Sequence, residues 1–432
     1  MKQTESFEFK GYWWLPSNPD NKVAGVITYT SGKSLVLELF GSFEERGNTI
    51  EYFMSKSLEA TIHGTLENAK KITLLQCDPS GSYNFSSSFP VIRYSCVYCF
   101  IGGHYTNLDE KGRFTIAIHF PEMPHWCHPG IIQETFKNNK EDDGHTISLS
   151  VNTEQGGKLI DEVRLDDDFK IQLKAGAIFS TNAGLLDNHM GQTTWIEISK
   201  EGSVSFKDLI LHGHKFESFL SLATLRVVEA SEIYIYNEDY YQESEEGEKH
   251  YIPIYFFSRF WRGRDTEKVE YFKFLFGYDA IKDRFAELMR AWYADRNDMS
   301  PIRSNLIDSL EKKRVFSNLD FLILARALDG FCIRSKIKGQ LGNRMKKAKE
   351  KFSDVTYIKK DDINVEELVD SRDYYAHYVL RSSKKHILDG FELHTLTQKV
   401  RRLVICCVLS DLGMDNHTID NILKKSNSRY IC

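Results

Sequence analysis

The stretch Asn364–Leu380 reads "NVEELVDSRDYYAHYVL". Val365, Leu368, Val369, Ala376 and Val379 fall at i, i+3, i+4, i+11 and i+14, the spacing of one helix face turned toward a core. Position i+7 should carry another apolar residue and carries Arg372, with His377 five residues on. A guanidinium buried without a counter-charge costs several kcal/mol, so Arg372 needs a carboxylate or a wet cleft. Asp370 or Asp373 could supply the pair. Five residues advance an α-helix by about 500°, so the two side chains are predicted to diverge by about 140°. Two copies about a two-fold axis would let an Arg and a His of each meet in one groove, which predicts a dimer.

Working outward, nearly everything from Asp279 to the C-terminus has helical period. "DAIKDRFAELMRAWYADRN" is amphipathic, and "DMSP" offers an Asp/Ser start with Pro301 in the first turn. "NLDFLILARALDGFCIRS" is apolar enough for a bundle interior, and Leu396, Val400, Leu403, Val404 and Cys407 form a further stripe. Five or six helices joined by short loops are expected there. Before about Tyr236 the period is two: "KVAGVITY", "SLVLELFG", "KKITLLQC", "RFTIAIHF" and "TTWIEIS" read as antiparallel strands between Gly/Asn/Asp/Ser turns. One helix, "SFKDLILHGHKFESFLSLAT", interrupts them. The acidic "EDYYQESEEGEKH" (Glu238–His250) reads as a loop. The expected fold is therefore α+β. A β-rich, antiparallel sheet or sandwich-like domain occupies 1–237, a connecting loop and strands 238–277, and an all-α bundle 278–432.

Composition narrows the class. The 432 residues suit more than one domain, and 41% hydrophobic with 13% aromatic residues suit packed cores rather than disorder. No signal peptide or membrane-length apolar run is visible, and the eight cysteines lack framework spacing, so a cytoplasmic protein without membrane association is expected. The net charge of −5 is uneven. Met1–Gly277 holds 27 Lys/Arg against 39 Asp/Glu, whereas Tyr278–Cys432 holds 29 against 22. That split points the C-terminal part toward an anionic partner, with nucleic acid first.

Several other motifs fail. "GVITYTSGKS" has six residues between Gly25 and Gly32 where a phosphate-binding loop has four, and no helix follows. Cys96 and Cys99, with His125, Cys127 and His128, would suit zinc. However, "RYSCVYCFI" reads as one strand, whose i and i+3 side chains point to opposite faces, so unless a turn breaks that strand the cysteines read as core. The aromatics of "GYWWLP" likewise read as core.

Arg372 and His377 suit metal-free chemistry on RNA. An imidazole can take a proton from a ribose 2′-hydroxyl or give one to a departing 5′-oxygen. A guanidinium can hold the scissile phosphate by a fork of hydrogen bonds and stabilise the transition state. Tyr374, Tyr375 and Tyr378 offer rings for unpaired bases, or for packing, and Arg381, Lys384 and Lys385 follow as a backbone-binding patch.

Arg372-Asp373-Tyr374-Tyr375-Ala376-His377 resembles the R-x4-H motif of HEPN domains, helical modules of many RNases. The whole chain is similar to the ApeA-type abortive-infection proteins of bacteria, whose β-rich N-terminal domain opens on an "F-x-G-x-W-W-L-P"-like signature, here Phe9–Pro16. The resemblance implies a metal-independent endoribonuclease without cofactor, acting as a dimer or higher oligomer and leaving a 2′,3′-cyclic phosphate. Arg372 and His377 would be catalytic, with Asp373 and Tyr378 supporting. The substrate would be RNA, transfer RNA in first place, and the acidic β-rich domain would answer a phage-derived protein. The rival readings are a non-catalytic module that binds RNA or nucleotide while its β domain binds a protein or glycan, and a zinc enzyme built on the Cys/His set.

Overall fold

The computed structural model describes residues 1–43, 60–80, 91–128, 130–139, 144–151, 157–181, 188–244, 247, 249–260, 269–311 and 317–431. Its first six strands, β1 (Phe7–Trp14), β2 (Val23–Thr30), β3 (Ser34–Leu39), β4 (Ala60–Leu66), β5 (Lys71–Ser80) and β6 (Ile92–Ser95), form a closed antiparallel barrel in the order β5-β4-β1-β2-β3-β6, with β6 returning to β5. Alternation drives it. In β3 the inward residues Leu35, Leu37 and Leu39 are fully buried, and β2 contributes Val23, Ile27 and Tyr29. Trp13 fills the interior so tightly that a Cβ on Gly64 would stand 2.5 Å from its ring.

Closure depends on a bend in β5. Up to Leu75 it pairs with β7 (Tyr98–Ile101), and from Asp78 with β6. Gln76, between the two pairings, takes φ +53, a left-handed kink that lets one strand serve two neighbours. Whether the β-rich part closes on itself is what alternation alone had left open.

"RYSCVYCFI" is correspondingly not one strand. It breaks at Cys96–Val97 between β6 and β7, and the break turns Cys96 and Cys99 into the same barrel core, beside Cys77. Both thiols are core residues, as expected, but through a bend rather than by facing opposite ways. Cys127 belongs to a different core cluster. Burial pushes the Cys77 and Cys99 thiols up, the direction of inert interior cysteines.

Beyond β7 the antiparallel sheet continues through Ile254–Ser258, Glu232–Asn237, Phe114–His119, Asn188–Lys200, Phe169–Thr181 and Lys158–Arg164. The acidic segment around Glu238–His250 contains a small hairpin, Tyr241–Glu243 against Lys249–Tyr251, instead of a plain loop. After a short helical turn, α1 (Met123–Trp126), the long helix α2 (Phe206–Thr224) buries Phe206, Leu209, Phe216, Phe219 and Leu220. Ser205 caps α2 by accepting from the Asp208 backbone N–H at 3.1 Å.

Eight α-helices follow among the described residues, more than the five or six that periodicity predicts, and four of them span ten residues or fewer. They are α3 (Phe285–Ala294), α4 (Ser300–Asp308), α5 (Asn318–Arg334), α6 (Leu341–Lys351), α7 (Thr356–Asp361), α8 (Val365–His377), α9 (Gly390–Asp411) and α10 (Asn416–Lys425). Pro301 does lie in the first turn of α4. The carboxylate meeting that turn is Asp295, which accepts from Met299 N at 2.7 Å and Ser300 N at 3.2 Å.

Sheet and bundle share one core. Trp292 of α3 packs edge-on to Phe219 of α2 at 5.6 Å, Trp292 Nε1 donates to Lys215 O at 2.8 Å, and Tyr293 Oη to His212 O at 2.7 Å. At the bundle centre α9 is buried all round from Val400 to Leu409, the predicted stripe included. Its Arg402 donates to both oxygens of Asp361, the last residue of α7, at 2.6 and 2.7 Å. No helix among the described residues is long and apolar enough to cross a membrane.

Candidate active site at the end of helix α8

Helix α8 starts where Asn364 accepts hydrogen bonds from the Glu366 and Glu367 N–H groups at 3.0 and 3.5 Å, and those two first-turn carboxylates suit its positive end. Replacing Asn364 by alanine is expected to cost about 1 kcal/mol of stability. Urea denaturation measures this, and a midpoint equal to the parent's would remove the cap from the account.

The buried side of α8 is Leu368 and Ser371, with Val365, Val369 and Tyr375 packed partly against the core. Ala376, predicted on that stripe, is exposed, and Arg372 lies at the stripe's edge with 28% of its side chain accessible. The helix ends at Tyr378, left-handed at φ +53 and 89% exposed. The connection that follows folds back along α8. Leu388 N donates to Ser371 Oγ at 2.9 Å, Tyr375 Oη to Leu388 O at 3.2 Å, and His386 N to Asp370 Oδ2 at 3.2 Å. Ser371 is therefore no apolar gap in the stripe: it pins the chain that covers it.

Within this frame Arg372 and His377 meet in one chain. Arg372 Nη1 lies 2.8 Å from His377 Nε2 and donates to Asp373 Oδ1 at 2.9 Å. What this corrects is the inference drawn from the divergence of about 140°, that two copies are needed to bring an Arg and a His together. Five residues rise only about 7.5 Å, a span the long Arg side chain crosses, and the helix stops at His377, so nothing stands between the two. A guanidinium can only donate, so this contact is a hydrogen bond in the form of the ring whose Nε2 carries no proton. The imidazole is presented with Nε2 toward the arginine, in the exposed part of the site.

The other residues expected at the site lie around this pair. Tyr374 packs edge-on to Tyr375 at 4.9 Å, with the Arg381 guanidinium 5.9 Å from its ring. Tyr375 is itself edge-on to Phe321 of α5 at 6.5 Å. Arg381 pairs with Asp389 at 2.8 Å, while Lys385 is exposed. Lys384 is engaged by two carboxylates, Asp373 Oδ2 at 2.8 Å and Asp370 Oδ1 at 3.2 Å. Sequence reasoning missed Ser371, His386, Leu388 and Asp389 as parts of the site, and named Asp370 only as a possible partner of Arg372, whereas it pairs with Lys384. The one available signal was Asp370 and Asp373 a turn apart, facing a lysine eleven residues downstream, and that pairing depends on the fold-back.

Arg372 thus has a carboxylate partner and still faces outward, beside an accessible imidazole. Among the described residues no group of three or more His, Cys, Asp or Glu is arranged to hold a metal ion. The arrangement can bind a phosphate through the arginine and move a proton through the histidine.

Comparison with known families agrees in both halves. The family model ApeA N-terminal domain 1 matches residues 8–292, and the model Apea-like HEPN matches residues 225–418, a span that contains α8 and both candidate residues. No curated protein and no solved structure matches the chain.

Proposed function

The chain belongs to the ApeA family, with an Apea-like HEPN domain in its helical region, and from that premise we propose that it is an endoribonuclease of anti-phage defence whose site is Arg372 and His377. Family membership supports a nuclease-type role at the coarse level. The observation that carries the finer reading is the 2.8 Å contact between Arg372 Nη1 and His377 Nε2 on an exposed helix end.

In the proposed reaction a ribose 2′-oxygen attacks the adjacent phosphorus and the bond from phosphorus to the 5′-oxygen breaks. The 2′-proton passes to an imidazole, and the leaving 5′-oxygen takes a proton from an acid. Arg372 holds the phosphate oxygens whose charge grows in between. The fragments would end in a 2′,3′-cyclic phosphate, with no metal taking part. Transfer RNA is the favoured substrate, and the sheet-rich part would sense a phage protein, its shared core with α3 linking it to the bundle.

Among the described residues one imidazole of the chain, His377, meets an arginine at this helix end, while His386 faces Glu366, and base and acid are two roles. A second copy supplies the other. Next to the site Tyr378, Leu380 and Phe391 are 89%, 76% and 72% exposed, an apolar edge suited to such a partner. The case for a dimer therefore rests on chemistry and on this edge, not on any inability of one chain to bring Arg and His together.

Purified protein incubated with total transfer RNA in excess EDTA is expected to give discrete fragments whose 3′ ends resist a phosphatase until the cyclic phosphate is opened. Intact RNA after prolonged incubation with the trigger-activated protein, or cleavage only on adding metal, would refute the reading.

A further inference from the structure

Lys384, expected among the phosphate-binding cations, is occupied within the protein. Asp370 and Asp373 stand one turn apart on α8, where like charges repel. Lys384 Nζ bridges them, at 3.2 Å from Asp370 Oδ1 and 2.8 Å from Asp373 Oδ2. The other oxygen of Asp373 accepts from Arg372 Nη1 at 2.9 Å, and that same nitrogen meets His377 Nε2 at 2.8 Å. Lys384, Asp373, Arg372 and His377 thus form a continuous relay, and the first three have only 25%, 22% and 28% of their side chains accessible. Lys384 does not reach in from a free arm. It sits on the fold-back held by Ser371, Tyr375 and Asp370.

We propose that Lys384 is a positioning residue of the ribonuclease site, a reading that rests on the function proposed above: it fixes the Asp373 carboxylate that aims Arg372, and it cancels a negative charge that would repel an RNA phosphate. With Lys384 present, two cations face two carboxylates. Without it, Arg372 faces both carboxylates alone and the group carries a net charge of −1 where a phosphate must bind. Burial pushes the Asp373 carboxyl up, but hydrogen bonds from Lys384 and Arg372 outweigh it and hold the group below the usual carboxylate range. Asp373, then Asp370, hold the Lys384 ammonium above its ordinary value.

Three variants of the full chain test this: Lys384→Met, Lys384→Arg, and Lys384→Met combined with Asp370→Asn. Lys384→Met, of similar length but uncharged, is expected to lower kcat/KM by about 10–100-fold. The loss should divide between a lower kcat, from a poorly aimed Arg372, and a higher KM, from the uncancelled charge. Lys384→Arg restores most of both, and adding Asp370→Asn to the Met variant recovers the KM part alone. In protein carrying 13C-labelled aspartate, the Asp373 carboxyl, identified by its loss in Asp373→Asn, should titrate at higher pH in Lys384→Met.

Lys384→Met cutting RNA at the parental rate overturns the proposal, and so does an Arg variant as impaired as the Met one. If the parent itself does not cut RNA, the ribonuclease reading falls by itself. The carboxyl titration then decides the relay: moved, the relay stands; unmoved, it falls too.

Discussion

Alanine at His377 is expected to lower RNA cleavage by about 10²–10⁴-fold, the contribution of a positioned general acid or base. Folding should be untouched, because His377 is exposed at the last position of α8 and its ring meets Arg372, itself at the edge of the bundle. Alanine at Arg372 should cost a comparable factor, about 10²–10³-fold, by removing the donor aimed at developing phosphate charge. It leaves the Asp373 and Asp370 carboxylates with Lys384, so no buried charge is stranded. Arg372→Lys keeps the cation but loses the planar fork and should recover only part of the rate. Single-turnover cleavage, read beside thermal unfolding, separates chemistry from folding. An Arg372→Ala or His377→Ala protein that cuts at the parental rate ends the assignment of these residues. Equal loss of rate and of melting temperature in the histidine variant would reassign it to structure.

The largest stability effect is expected at Asp361→Ala, about 3–5 kcal/mol. Asp361 and Arg402 have side chains 9% and 11% accessible, joined by two parallel hydrogen bonds across the α7–α9 contact. Removing the carboxylate leaves a guanidinium inside the bundle whose remaining hydrogen bond among the described residues is a weak one, Arg402 Nη1 to Ile431 O at 3.4 Å. The size of the effect lies in that stranded charge and not in a large net worth of the pair. The double variant Asp361→Ala/Arg402→Met should therefore recover most of the loss. Chemical denaturation of the parent, the single variant and the double variant measures this cycle. A double variant as unstable as the single one would show that packing, not the buried charge, sets the cost.

The division into a β-rich part followed by helices was legible because side-chain period is a local property. "SLVLEL" alternates and α9 repeats every three to four residues whatever surrounds them. The cation on the α8 stripe was legible for the same reason, since its position breaks a pattern visible in a dozen neighbours. Local pattern misled where the chain bends. The break at Cys96–Val97 and the left-handed Gln76 carry no period of their own, and together they decide that six strands close on themselves. The meeting of Arg372 and His377 within one chain was missed because helix geometry fixes only Cβ directions, whereas a long side chain and a helix end decide where the atoms meet.

By itself, then, the sequence determined that a β-rich part precedes a helical one, the charge difference between the halves and the presence of an Arg and a His five apart on one helix, because each is written in the type and spacing of adjacent residues. Tertiary structure alone decided that Lys384 spends its charge on Asp370 and Asp373, that Ser371 holds the returning chain, and that one core runs from the sheet into the bundle. Those contacts join residues eleven to well over a hundred positions apart, and only the packed fold sets which of the possible partners touch each other.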